Sequence, residues 1–221
     1  MSTNTNIKPV VLLPGPGVTR FHAQAAISGI QEMLSFAELD NIDDVMPIID
    51  LGEREDVAAY RSIGDYIDNA LVFSQRPKQL AAEALMAKLF EESLRVSPSH
   101  YLVVIISEDM YSNENAGQFV VAVNKPHFAI IVSRYRFAEL NEVIMFEMLK
   151  YTVMHNLGHL FGLPFKNGYG YSKSEEHCLN EWCLMRQGMN LDQWQQHAFD
   201  RMAALTLCPQ CKEAFRYFFR S

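Results

Sequence analysis

Two histidines in the third quarter of the chain have a spacing that suits metal binding. His155 and His159 lie four residues apart in a segment with helical periodicity, so both rings extend from one face of the predicted helix. Two imidazoles on one face can converge on a single zinc ion. The pair therefore predicts a metal site, and a pair of ordinary surface or core histidines is the alternative.

The residue after the first histidine decides what such a metal could do. In zinc peptidases with a His-Glu-x-x-His motif, the glutamate accepts a proton from metal-bound water and passes it to the leaving amine. Here the position is Asn156, whose amide can orient a water but has no proton-accepting state near neutral pH. General acid–base catalysis contributes about 10²–10⁴-fold to a rate. The sequence therefore predicts a metal site with impaired catalysis.

A glycine and a later histidine extend this pattern. Gly162 follows His159 after two residues, and a glycine there allows a sharp turn, so that a third ligand can approach from a loop. This arrangement is typical of metzincins, in which the third ligand lies three residues after the glycine. That position is Phe165, which cannot bind zinc. The next histidine is His177, beyond a segment with the composition of a surface loop.

The four cysteines form a second candidate metal site. They lie in the last quarter of the chain as two close pairs, namely Cys178 with Cys183 and Cys208 with Cys211. Two such pairs are typical of a structural zinc site, because each pair supplies two of the four thiolates. Two disulfides, or four reduced cysteines in a core, are the alternatives. A reducing compartment favours the metal.

Together these residues resemble the archaemetzincin family of zinc metallopeptidases. That family has the motif His-Glu-x-x-His-x-x-Gly-x-x-His-Cys-x4-Cys-x-Met, followed later by Cys-x-x-Cys. The matching positions are His155, His159, Gly162, His177, Cys178, Cys183, Met185, Cys208 and Cys211. The segments Ile106–Tyr111 and Val132–Phe137 are also similar to that family, so the resemblance covers about residues 101–221.

The resemblance implies a metzincin-like α/β (α+β) fold with two zinc ions. It implies that His155, His159 and His177 hold a catalytic-type zinc above a Met-turn at Met185. It also implies that the four cysteines hold a structural zinc. The partner implied is a peptide or protein, bound by strand addition in a cleft between the predicted strand Phe119–Val123 and the helix of residues 137–161.

The chain departs from that family at Asn156 and in an insertion of about a dozen residues before His177. If the insertion loops out, His177 can return to the third-ligand position, because the adjacent Cys178 is held by the structural zinc. A loop of this length could equally carry the histidine away. Four residues of the insertion could instead enter the cleft, and either glutamate could replace the missing base: Tyr169, Tyr171, Glu175 and Glu176.

The elements that must position these residues form a mixed twisted sheet with covering helices. Helices are predicted from Thr19 to Leu39, from Pro77 to Arg95, and from Phe137 to Phe161 with the histidine pair. The predicted strands are Pro9–Leu13, Tyr101–Ile106, Phe119–Val123 and Phe128–Val132. The segment Pro14-Gly15-Pro16-Gly17 lacks the spacing of a phosphate-binding loop and is interpreted as a turn.

A single domain is predicted over residues 1–221, with an N-terminal subdomain over 1–162 and a C-terminal zinc-binding subdomain over 163–221. The tail aromatics are expected to pack around the tail's own metal, with a peptide-binding surface as the alternative: Trp182, Trp194, Phe199, Phe215, Tyr217, Phe218 and Phe219. The histidines without a partner at ligand spacing are interpreted as ordinary polar residues: His22, His100, His127 and His197.

The overall charge and hydropathy limit the possible partners and locations. A formal net charge of -7 and a pI near 5.5 disfavour nucleic acid and anionic membranes as partners. No apolar run approaches the roughly 20 residues that span a bilayer, and the polar start differs from a signal peptide. We therefore expect a cytosolic protein.

Overall fold

The computed structural model contains a mixed five-stranded sheet, a smaller three-stranded sheet and covering helices. It describes residues 7–39, 46–52, 63–72, 74–93, 100–113, 119–163, 177–188, 190–201 and 207–220. In these ranges no helix has the length and apolar character needed to cross a bilayer. The predicted mixed α/β fold is confirmed.

Short strands build both sheets. They are β1 (Val10–Pro14), β2 (Ile48–Asp50), β3 (Gln79–Ala81), β4 (Tyr101–Ile106), β5 (Asp109–Tyr111), β6 (Phe119–Val120), β7 (Ala122–Lys125) and β8 (Ala129–Ser133). The larger sheet has the order β2-β1-β4-β8-β7, with β7 antiparallel at one edge and the other strands parallel. The central strand β4 is buried along its whole length, because helices cover both faces of the sheet.

Two helices cover one face of the large sheet, and one of them carries the histidine pair. The helices described are α1 (Arg20–Ser35), α2 (Ile63–Val72), α3 (Ala82–Ser93), α4 (Glu142–Leu160), α5 (Leu191–Arg201) and α6 (Pro209–Arg220). α1 packs along α4, and both contribute to the larger of two cores, whereas α2 and α3 cover the opposite face. The helix with the histidine pair is therefore supported along its length.

The first two predicted helices have different ends in the structure. α1 ends at Ser35 rather than Leu39, because a turn follows and Glu38 adopts a left-handed conformation with φ of 51°. α3 begins at Ala82 rather than Pro77, because residues Gln79–Ala81 pair in parallel with β5 as a strand. The three-stranded sheet and α2 were not predicted.

The edge strand and the long helix also differ from the prediction. Val121 interrupts the predicted strand Phe119–Val123, so β6 pairs with β5 in the small sheet and β7 pairs with β8 in the large one. The long helix begins at Glu142 rather than Phe137, because the side chain of Asn141 caps it by accepting a hydrogen bond from the Ile144 amide at 3.0 Å. The part of this predicted strand that lies in the large sheet is therefore β7.

Three aromatic side chains of the tail pack against the main core. Their rings surround the buried ring of Phe161, with centroids 5.2–5.6 Å away: Phe215, Phe218 and Phe219. Phe161 ends α4, so these contacts join the tail to the main core. Other aromatics of the tail are exposed: Trp182, Phe199 and Tyr217.

An ion-pair cluster also joins α6 to the end of α1. The Glu38 carboxylate pairs with Lys212, at 2.9 Å, and with Arg216. The hydrogen bond from Lys212 is the main reason why the pKa of Glu38 lies below its ordinary value. These exposed pairs add specificity to the docking of α6, which the buried aromatic contacts stabilise.

The close crossing of α1 and α4 gives a stability prediction. A Cβ atom at Gly29 would lie 2.8 Å from the Lys150 carbonyl oxygen, which belongs to the backbone of α4. Gly29→Ala should therefore lower the free energy of unfolding by about 1–3 kcal/mol, as overpacking typically does. Urea denaturation of the zinc-saturated protein measures the change.

The control for this change is Gly64→Ala in α2, where a Cβ atom would meet only the Pro16 side chain, at an ordinary 3.5 Å. Alanine is the better helix former by about 1 kcal/mol, so this variant should be as stable as the parent or slightly more stable. Equal unfolding midpoints for the Gly29 and Gly64 variants would contradict the packing argument.

Candidate metal centres

The two histidines of α4 lie side by side in a buried position. His155 and His159 are 3% and 8% exposed, and their Nε2 atoms are 3.1 Å apart. The spacing of four residues places both rings on the same side of the helix, as the sequence predicted. Neither ring is an ordinary surface group.

His177 completes a group of three imidazoles. Its Nε2 atom lies 3.3 Å from that of His159, and its ring stacks against His155 with centroids 5.2 Å apart. The ligand atoms of all three rings lie within 4.8 Å of one another. The third histidine therefore returns to the pair on α4. The insertion of residues 164–176, including Phe165 and the four residues expected to reach the cleft, lies outside the described part of the chain.

Two backbone carbonyls fix which nitrogen of each helix histidine faces inward. His155 Nδ1 lies 2.8 Å from the Leu184 carbonyl oxygen, and His159 Nδ1 lies 2.9 Å from that of Leu163. A carbonyl oxygen can only accept, so each Nδ1 carries the proton and each Nε2 presents its lone pair. Burial, assisted by the charge of His177, lowers the pKa of His159 to about 4, so this ring is neutral at neutral pH.

These imidazoles fit a zinc ion. Lone pairs that face each other at 3.1 Å repel, and a cation between them removes that repulsion. With Zn–N distances of about 2.0–2.1 Å, tetrahedral ligands lie roughly 3.3–3.4 Å apart. The distances of 3.1 and 3.3 Å between Nε2 atoms are close to that value.

Gly162 orients one of these carbonyls. Its φ is 83°, and its amide donates to the His159 carbonyl, while the Leu163 amide donates to the Gly158 carbonyl. This is a Schellman motif, for which a residue in the left-handed region is required. The motif ends α4 and directs the Leu163 carbonyl back to the ring of His159. The glycine therefore shapes the surroundings of a helix ligand as well as the chain direction.

Met185 packs directly against the helix between the two histidines. A Cβ atom at Gly158 would lie 2.2 Å from the Met185 sulfur, so glycine leaves the space in which the thioether lies. Met185 is fully buried, and its neighbour Leu184 supplies the carbonyl that contacts His155. The position predicted as a Met-turn thus contacts α4 at the level of the metal ligands.

Asn156 is held by its own helix. Its side chain is buried, and the amide nitrogen donates to the Thr152 carbonyl at 2.9 Å. In the described ranges, no aspartate or glutamate joins the three histidines. The position expected for the general base therefore has a short, neutral side chain, and one of its two amide hydrogens already bonds to the helix.

Trp194 is a neighbour of the site that the sequence did not reveal. Its ring packs edge-on against His155, with centroids 4.8 Å apart, and its Nε1 donates to the Thr152 hydroxyl at 2.8 Å. The prediction that Trp194 packs around the tail metal is wrong, because α5 places this ring against α4. No spacing signal distinguishes it from the other aromatics of the tail, and the two carbonyl acceptors are equally invisible in the sequence.

The four cysteines meet in a separate buried cluster. Their sulfur atoms lie within 4.8 Å of one another, all four are free thiols, and Cys178 Sγ is 3.7 Å from Cys208 Sγ. Tetrahedral thiolates at a Zn–S distance of about 2.3 Å lie roughly 3.8 Å apart, so this geometry fits zinc. The Cys208 amide donates to Cys183 Sγ at 3.3 Å.

The titration of the cluster also favours metal binding. Hydrogen bonds from Cys183 and Cys211 lower the pKa of Cys178, whereas the hydrogen bond with Cys178 raises the pKa of Cys183 to about 12. The lowered pKa of Cys178 favours its thiolate form. Thiolates, rather than thiols, bind zinc.

Two of the remaining histidines make contacts outside both centres. His22 accepts a hydrogen bond from the Thr19 amide at 3.1 Å, as part of the capping box that begins α1. His127 stacks on Phe218 with centroids 5.7 Å apart. Within the part of the chain that the structure describes, no histidine beyond the three joins a ligand cluster.

Comparisons with known proteins agree with the fold. No protein-family model matches the chain. An archaemetzincin of Nanoarchaeum equitans is 34% identical over 110 residues, which is 49% of this chain and 49% of that one. The crystal structure of an archaemetzincin from Methanopyrus kandleri covers 100% of both chains with a TM-score of 0.66 and 16% identity. The chain is a homologue of the archaemetzincins.

A second solved structure has the same fold. A zinc-dependent peptidase from Methanocorpusculum labreanum aligns with a TM-score of 0.59 and 16% identity, over 93% of this chain and 99% of that one. At these identities the solved structures establish the archaemetzincin fold. The sequence alignment to the Nanoarchaeum equitans relative spans only about half of that protein.

The left-handed conformation of Gly162 gives a test of how the carbonyl of Leu163 is positioned. Gly162→Ala should destabilise the fold by about 1–2 kcal/mol, because a Cβ atom is strained at this φ. It should also weaken zinc binding at the histidines, because a displaced Leu163 carbonyl no longer orients His159. Urea denaturation and competition with a chelator measure the two effects.

Gly162→Asn is the matched control, since asparagine tolerates the left-handed region better than alanine. It should retain more stability and more zinc affinity than the alanine variant. If the alanine variant matches the parent protein in both measurements, Gly162 does not have this role.

Proposed function

We propose that this chain is an archaemetzincin-like protein that binds zinc at the three histidines and at the four cysteines. We further propose that it holds an extended peptide beside α4 and hydrolyses peptide bonds only very slowly. The convergence of three imidazole Nε2 atoms beside a position without a carboxylate carries the proposal. Zinc binding follows from the three imidazoles, and slow hydrolysis follows from the absence of a general base at Asn156.

The edge strand β7 supports peptide binding. Among the described strands of the large sheet, β7 pairs with β8 alone, and an extended peptide could pair with the backbone donors and acceptors of its other edge. β7 also packs beside α4, the helix that carries His155 and His159. A peptide added at this edge would therefore run alongside the helix of the metal ligands.

The chemistry available at the site is incomplete. A zinc ion bound by His155, His159 and His177 would polarise a peptide carbonyl and lower the pKa of a bound water. Asn156 cannot accept the proton of that water, because its amide is neutral and its nitrogen already donates to the Thr152 carbonyl. Loss of a general base lowers a rate by about 10²–10⁴-fold.

A second candidate function is a non-catalytic scaffold that binds a peptide or protein and is stabilised by the cysteine zinc. The observation that favours it is the hydrogen bond of Asn156 to its own helix, which uses this position for structure. Both candidates share a single domain over residues 1–221, in which residues 163–221 add the zinc-binding module. Both also agree with a cytosolic location, supported by the free thiols.

The peptidase proposal predicts that Asn156→Glu increases the rate of peptide cleavage by about 10²–10⁴-fold, because it supplies the missing general base. Chelator-sensitive cleavage of a mixed fluorogenic peptide library measures the rate.

The matched control is Asn156→Gln, which lengthens the side chain equally without adding a carboxylate and should remain as slow as the parent. If the glutamate variant stays inactive although both metals are bound, the scaffold is the correct function.

The same proposal predicts two zinc ions per chain in the purified protein. The double variant with His155→Ala and His159→Ala should contain one, because the cysteine site is left intact. Elemental analysis together with protein quantification gives the ratio. A single zinc in the parent protein, unchanged in the double variant, would show that the histidines hold no metal.

A further inference from the structure

One short segment takes part in both candidate metal sites. We refer to residues 177–185 as the ligand segment. It begins with the adjacent residues His177 and Cys178, one in each ligand group, and Cys183 lies near its end. Because neighbouring Cα atoms are only about 3.8 Å apart, the position of the cysteine strongly restricts that of the histidine.

Backbone hydrogen bonds close the ligand segment into a compact loop. The Cys178 amide donates to the Met185 carbonyl at 2.8 Å, and the Cys183 amide donates to the Asn180 carbonyl at 3.0 Å. Both cysteines therefore lie where the two ends of the loop meet. A metal that binds both sulfur atoms would fix the shape of the loop at this junction.

The same end of the loop contacts the histidine site. Leu184 follows Cys183 and accepts the hydrogen bond from His155 Nδ1 at 2.8 Å. Met185 comes next and packs against Gly158 of α4. The ligand segment thus supplies the third imidazole, which is His177, and the carbonyl that orients His155. It also packs against the helix between His155 and His159.

The other two cysteines belong to a different element that is anchored independently. Cys208 precedes α6 and Cys211 lies in its first turn, while α6 itself docks on the main core through its aromatic residues. A metal at the four cysteines would therefore attach the ligand segment to a fixed part of the structure. Without that metal, the ligand segment and the start of α6 are joined by weak contacts of the Cys178 and Cys183 sulfur atoms with the sulfur and the amide of Cys208.

We propose that the ligand segment is a positioning element, so that metal at the four cysteines assembles the three-histidine site and raises its metal affinity. This inference rests on the proposed function, which requires metal at both sites. The coupling is thermodynamic and therefore reciprocal, so metal at the histidines raises the affinity of the cysteine site by the same factor. The cysteine site fills first, because it offers soft thiolate ligands.

The chain has two tryptophans, and the fluorescence of one of them can report on the histidine site. Trp194 contacts the ring of His155, whereas Trp182 is 67% exposed within the ligand segment. In a Trp182→Phe background, quenching of the remaining fluorescence by Co²⁺ reports metal next to His155. Charge-transfer absorption from thiolate to Co²⁺ reports the cysteine site in the same titration.

The experiment titrates Co²⁺ into the full chain with Trp182→Phe, alone and combined with Cys211→Ser. We expect Cys211→Ser to weaken Co²⁺ binding at the histidines by about tenfold or more, although Cys211 is not one of their ligands. The matched control is Glu213→Ala, an exposed position on the same helix, which should leave both affinities unchanged. Unchanged histidine-site affinity in a folded Cys211→Ser variant overturns the inference.

If Cys211→Ser does not fold, a reciprocal measurement tests the same coupling between the two metal sites. The His155→Ala, His159→Ala double variant keeps all four cysteines, so its cysteine site should lose Co²⁺ to a chelator about tenfold more readily than the parent saturated at both sites. Equal retention of Co²⁺ overturns the inference, while the proposed two-metal function stands. If the parent shows no quenching of Trp194, the proposed function and the inference fall together.

Discussion

The hydrogen bonds from two imidazoles to backbone carbonyls are the interactions on which the histidine site depends. They place the proton on Nδ1 of His155 and His159, and so turn two lone pairs toward each other in a buried space. The Schellman turn at Gly162 and the loop that ends at Met185 supply the two acceptors. The end of α4 and the ligand segment therefore both help to set the direction of the two nitrogen lone pairs.

Most of the candidate metal ligands could be identified from the sequence because each is a rare residue type at a characteristic spacing. His155 and His159 needed only the helical period, and the cysteine pairs needed only their separation. The position of His177 was not fixed by the sequence, because the insertion before it could equally have carried this residue away from the pair. The fold class followed from apolar runs, because buried parallel strands and long amphipathic helices differ in period.

Other features depend on tertiary contacts that have no local signal. Gln79–Ala81 forms a strand because β5 is available to pair with it, although its own sequence continues smoothly into α3. Val121 divides one apolar run between two sheets, which depends on the partners on either side. The contact of Trp194 with His155 depends on how α5 packs against α4, and many aromatic residues could have filled that place.

The order of these residues along the chain has a consequence for biosynthesis. Helix α4 and its histidines leave the ribosome well before Cys208 and Cys211, whereas the ligand segment has to be attached to both parts. A nascent chain that ends before α6 lacks the element that carries Cys211. Under the proposed coupling, the three histidines would therefore reach their full metal affinity only after α6 has been synthesised.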